Sequence, residues 1–98
     1  MDKAKAIAIG KDYKKAVASL FDNPQVYLFG SYCKGTEHEG SDIDVAVVVD
    51  GLNGDWMTYS SKLWRATMGV STLIEPVLID KTKPSPLYDD IVREGIRL

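Results

Sequence analysis

Two carboxylates, Asp42 and Asp44, stand one residue apart at the start of the apolar run Ile43-Asp44-Val45-Ala46-Val47-Val48-Val49. Side chains alternate across a strand, so both acids project from the same face. Paired hard oxygen ligands on a rigid element suit a divalent cation. Upstream, the apolar segment Val26-Tyr27-Leu28-Phe29 ends in Gly30-Ser31. A glycine lets a backbone approach a phosphate closely, and a serine that opens a helix offers a hydroxyl and free N–H groups to an anion. The two features together point to metal-assisted chemistry on a nucleoside triphosphate. Taken singly, each has a plainer reading: Asp-x-Asp at a strand start is commonly a solvated edge, and Gly-Ser is a common turn.

The elements that must position these residues can be read from pattern. Asp2 is placed to cap a first helix running to about Phe21, with Ile9, Tyr13, Ala16, Val17 and Leu20 as its buried stripe and Lys11, Lys14 and Lys15 on its wet face. Asn23-Pro24 breaks it. Gln25 to Phe29 reads as a short strand, and Ser31 to Thr36 as a short helix. Ile43 to Val49 is rich in β-branched residues and is the strongest strand signal. Its odd positions form a core face, while Asp42, Asp44, Ala46 and Val48 form a face beside a ligand. Asp55 caps a further helix to Met68, with Met57, Ser60, Trp64 and Met68 near one stripe. Thr72 to Ile79 is a third strand, and Pro76 puts it at a sheet edge or at a bulge. Pro86 to Glu94 is a last helix stopped by Gly95. Strands separated by helices imply an α+β, two-layer domain: a small mixed sheet with helices mainly on one face.

The arrangement strand, Gly30-Ser31, short helix, then Asp42-x-Asp44 on the next strand resembles the minimal nucleotidyltransferase domains of the DNA polymerase β-like superfamily. The resemblance covers most of the chain and implies the nucleotidyltransferase fold. It also implies a third acid on a later strand, and Glu75 in Leu73-Ile74-Glu75-Pro76 is the match. By the same resemblance Asp42, Asp44 and Glu75 are the catalytic and metal-binding residues, and Gly30, Ser31 and Lys34 the nucleotide-binding ones. Two Mg²⁺ ions roughly 4 Å apart are the cofactors expected in such an in-line displacement. The family often has Arg-Gly where this chain has Lys34-Gly35; lysine keeps the positive charge without the planar fork. Glu75 as an exposed edge acid and Lys34 on a solvated helix face are the plainer alternatives.

Size narrows the function. With 98 residues the chain is expected to be one domain, residues 1–98, with little material to enclose a second substrate. Among family members the resemblance points to the antitoxins that accompany HEPN-type toxins and transfer AMP from ATP to a toxin hydroxyl, typically a tyrosine. A partner protein would then supply the acceptor. Two alternatives stay open: an aminoglycoside-type small-molecule nucleotidyltransferase, and a catalytically silent module that neutralises a partner by contact. A formal net charge of −2 argues against a nucleic-acid footprint. No apolar run reaches the roughly 20 residues that span a bilayer. Cys33 has no internal disulfide partner, which fits a reducing cytoplasm; self-association is left open. His38 has no second ligand near it in sequence, Cys33 and Tyr27 read as packing residues, and Trp56 and Trp64 as core or partner contacts.

Overall fold

The computed structural model describes residues 2–30, 42–83 and 85–98. Helix α1 (Lys3–Val17) is followed by β1 (Gln25–Phe29), β2 (Ile43–Val49), helix α2 (Trp56–Thr67), β3 (Ile74–Asp80), helix α3 (Pro86–Glu94) and a two-residue strand β4 (Ile96–Arg97). The short helix expected over Ser31 to Thr36 lies outside the described residues, as do Ser31, Cys33, Lys34 and His38.

The strands form one mixed sheet in the order β3-β2-β1-β4. β1 pairs antiparallel with β2 and with β4, and β2 pairs parallel with β3. β2 is central, which explains why its residues Val45 to Val49 are all buried. β3 is an edge strand, as Pro76 requires, because a residue without an N–H cannot sit between two ladders.

Two apolar layers sandwich the sheet. On one face Ile43, Val45, Val47 and Val49 pack with Val26, Leu28, Ile74 and Leu78 beneath α1 and α2. Tyr13 on α1 is fully buried and its hydroxyl donates to the Leu63 carbonyl of α2 at 2.7 Å, tying the two helices. On the other face Ala46, Val48, Tyr27 and Ile79 lie beneath Ile91 of α3. Two helices therefore cover one face and the third covers the other.

Several expectations change. α1 ends at Val17 rather than near Phe21, because Ala18 and Leu20 donate to carbonyls three residues back and tighten the chain into a turn. Its buried residues are Ala6, Gly10, Tyr13 and Val17; Ala16 is exposed, and Ile9 and Leu20 are only partly covered. The small residues on this stripe have a cause. A side chain at Gly10 would run into Leu98, whose N–H donates to the Val26 carbonyl at 2.8 Å and whose carbonyl accepts from Lys14 Nζ at 2.7 Å. Lys14 is thus not merely on the wet face. The inward face of α2 carries Leu63 and Thr67, while Trp56, Met57, Trp64 and Met68 are exposed. β3 begins at Ile74, not Thr72, and ends at Asp80. The helix caps follow the sequence closely: Asp2, Asp55 and Ser85 accept from Lys5, Thr58 and Tyr88 N–H groups. Pro86 opens α3 at a position where a missing N–H costs nothing.

Candidate active site

The register of the sheet sets the site. Phe29 on β1 pairs with Asp44 on β2, and Asp44 pairs with Glu75 on β3. These residues form one row across three strands at one end of the sheet. Adjacent residues in a row share a face, so Glu75 emerges beside Asp44. Asp42 precedes β2 and extends the same side outward. It is exposed, Asp44 is half-buried, and Glu75 is exposed.

The three carboxylates feel one another. Glu75 is pushed above the usual glutamate range, first by the charge of Asp42, then by loss of solvent, a hydrogen bond with the Asp42 side chain and the charge of Asp44. Asp44 is also raised, chiefly because burial penalises its charge and secondly because Asp42 is near. Carboxylates that raise one another in this way are suited to a cation, which would remove the repulsion. Among the described residues the carboxylates are not closed into a ready-made three-ligand cluster. The donor set, all hard carboxylate oxygen on one side of a rigid sheet, fits Mg²⁺.

Gly30 directly follows β1 with φ of +76°, a conformation that L side chains rarely adopt. A Cβ built there would overlap Asp44 Oδ2 and press on the rest of that side chain. Gly30 thus has a role the sequence did not disclose: it leaves room for the Asp44 carboxylate itself. Beside it, a hollow of about 280 Å³ is lined by Phe29, Gly30, Leu87, Ile91, Glu94 and Gly95, so it runs from the turn along α3. A larger hollow of about 520 Å³, lined by Leu20, Gln25, Asp50, Tyr59 and Lys81, lies at the opposite end of the sheet and contains none of the three acids. Proximity to the carboxylates favours the smaller hollow as the ligand space.

The structure therefore brings Asp42, Asp44, Glu75 and Gly30 together. Ser31 and Lys34 lie outside the described residues. Ala46 and Val48, expected beside the ligand with the acids, are instead buried under α3, because Ile91 covers that part of the face. Residues of α3 at the edge of the hollow, Leu87 and Glu94, were not singled out in the sequence; only knowing that α3 crosses this face reveals them.

Comparison with known proteins agrees with this fold. The chain is 28% identical over 98 residues to MJ0141 of Methanocaldococcus jannaschii, provisionally assigned as a protein adenylyltransferase, with 94% of this chain and 97% of that protein aligned. A provisionally assigned nucleotidyltransferase from Sulfolobus solfataricus superposes with a TM-score of 0.68 at 22% identity, over 97% of this chain and 80% of the other, and shows the common fold. A chain of the toxin–antitoxin complex MntA-HpeT, Y104A mutant, superposes with a TM-score of 0.63 at 27% identity, over 90% of this chain and 69% of the other. No helix among the described residues is long and apolar enough to cross a membrane. A profile of the nucleotidyltransferase domain matches residues 11–96, and with that span covering nearly all of the fold described above, the chain belongs to the nucleotidyltransferase family.

Proposed function

We propose that this nucleotidyltransferase is a Mg²⁺-dependent protein adenylyltransferase of the antitoxin kind. It would transfer AMP from ATP to a hydroxyl, in the first instance a tyrosine, of a HEPN-type toxin partner. The observation that carries the reading is the row Asp44–Glu75 with Asp42 beside it, next to a glycine turn whose missing side chain leaves room for Asp44. The homology to proteins assigned as adenylyltransferases, and to a chain of a toxin–antitoxin complex, supports the choice of substrate and partner.

Asp42, Asp44 and Glu75 would hold the cations. When bound, these ions neutralise the triphosphate and stabilise charge on the attacking and departing oxygens. The protein's own work is mainly positioning, as in phosphoryl transfer generally. Gly30 presents backbone with no side chain, so phosphate oxygens can come close while Asp44 keeps its place. Ser31 and Lys34 are proposed to contact the phosphates. Glu75, held above its usual range by the charge of Asp42 beside it, must be ionised to bind a cation, so metal affinity rises with pH. Glu75, at the outer edge of the row, is the carboxylate best placed to face an incoming hydroxyl.

Purification from the native host, identification of the co-purifying protein and its intact mass before and after ATP and Mg²⁺ test the reading. One added AMP is expected on the partner, and none with the Asp42→Asn, Asp44→Asn double variant. Undiminished labelling by that variant, in protein free of wild-type enzyme, ends the carboxylate assignment. Neutralisation of the partner by the double variant without any labelling would establish a contact-only module instead.

A further inference from the structure

We propose that α2 is the interface of a symmetric homodimer, formed by the exposed ridge Trp56–Ser60–Trp64–Met68. These positions recur every fourth residue, so at 100° per residue they form one gently inclined row along the helix. None is charged. The helix turns Leu63 and Thr67 inward, yet Trp56 is 48%, Trp64 49% and Met68 79% exposed, with Met57 beside them at 65%. Two half-exposed tryptophans are costly to leave in water on a small domain, and nothing among the described residues of a single copy covers them further.

The order of sizes along the ridge identifies the occupant. A two-fold axis midway between Ser60 and Trp64 sets each Trp64 over the other copy's Ser60, a small, half-buried notch. The same axis sets each Trp56 against the other copy's Met68. Large meets small at the centre and a flexible thioether meets an aromatic ring at each end. A surface that fits itself under a two-fold is the signature of an isologous interface. Ridges spaced four residues apart on both helices interdigitate in the commonest helix-packing class, crossing near −50°. Trp56 also borders an apolar groove with Leu52, Leu78 and Leu87, into which the arriving Met68 can extend.

The area is adequate for a specific but modest dimer. Large aromatic side chains offer about 150–250 Å² each, so the ridge and Met57 present roughly 400–500 Å² per copy. Two copies then bury on the order of 1,000 Å², near the lower bound for a specific interface. α2 lies on the Val45–Val47 face of the sheet, whereas Asp44 and Glu75 project from the face that carries α3. Pairing through α2 therefore leaves both acid rows open.

Sedimentation velocity on the full chain, over a concentration series reaching high micromolar, tests the proposal. Wild-type protein should pass from one to two chain masses, with a blue shift of tryptophan fluorescence. Trp64→Glu should remain at one chain mass. Ser60→Trp is the sharper test, because it enlarges the apolar surface while filling the notch. It should weaken association at least tenfold, whereas general stickiness would strengthen it. Circular dichroism checks that both variants fold. A wild-type chain that stays monomeric throughout, including one whose ridge is covered only by a different protein, overturns the proposal. So does a Ser60→Trp variant that dimerises as well as wild type.

Discussion

Replacing Gly30 with alanine probes the site through two separable effects. The first is backbone: φ of +76° costs a residue with a Cβ about 1–2 kcal/mol relative to glycine. The second is steric: the new methyl overlaps Asp44 Oδ2, so that carboxylate must leave its position. Forcing a side chain off its preferred rotamer adds about 0.5–1.5 kcal/mol. The sum is roughly 1.5–3.5 kcal/mol, or about 6–28 °C in melting temperature for a domain of this size. Transfer activity should fall much further than the remaining folded fraction explains, because the displaced group is a proposed metal ligand. A double-mutant cycle with Asp44→Ala separates the terms. In the Asp44→Ala background only the backbone cost survives, so Gly30→Ala should be cheaper there by about 0.5–1.5 kcal/mol. Denaturant melts of the four proteins give the coupling. Additivity within about 0.3–0.5 kcal/mol, together with retained activity in Gly30→Ala, would refute the claim that this glycine makes room for Asp44.

Three further expectations follow from the same geometry. Mg²⁺ at ten times its dissociation constant should add about 1.4 kcal/mol and raise the melting temperature by roughly 6–11 °C. Asp44→Asn should stabilise the metal-free protein and abolish that response; an unmoved wild-type melt together with an unstabilised variant would mean that the acids gather no cation. Asp44 and Glu75 have folded-state values raised above their ordinary 3.8 and 4.5. The stability linked to them is therefore fully present below those ordinary values and is lost as pH rises through the folded ones. The advantage of Glu75→Gln over chelator-treated wild type should then be largest near neutral pH and vanish on acidification, and a pH-independent difference in melting temperature would contradict the coupling. Tyr13→Phe removes the buried hydrogen bond to the Leu63 carbonyl and should cost about 1 kcal/mol, near the mean for such bonds, since that carbonyl also belongs to the α2 ladder; melting temperatures check it, with activity per folded molecule unchanged.

The amino-acid sequence determined what local rules can decide. Alternation along β2 put Asp42 and Asp44 on one side and Ile43, Val45, Val47 and Val49 on the other. The bounds of β2 and α3 follow from the β-branched run, Pro86 and Gly95, those of β1 from Pro24 and Gly30, and Pro76 put β3 at an edge or a bulge, of which the sheet takes the edge. These features depend on the geometry of a few neighbouring residues, so they survive whatever the rest of the chain does. Hydrophobicity misled where burial depends on distant partners. The tryptophans of α2 read as core or partner contacts, and the structure removes the core alternative: Leu63 and Thr67 face inward, because the helix is rotated to let Tyr13 reach the Leu63 carbonyl and to pack Leu63 on the sheet. β4, only two residues long, carries no periodicity of its own and is a strand only through its pairing with Tyr27 and Leu28 of β1. The placement of α3 over Ala46 and Val48, and of the hollow beside Gly30, required the full topology. Above all, the parallel register of β3 on β2 decided that Glu75 stands next to Asp44. Residues so far apart in sequence meet only through strand pairing, and a shift of one residue would have turned Glu75 to the opposite face.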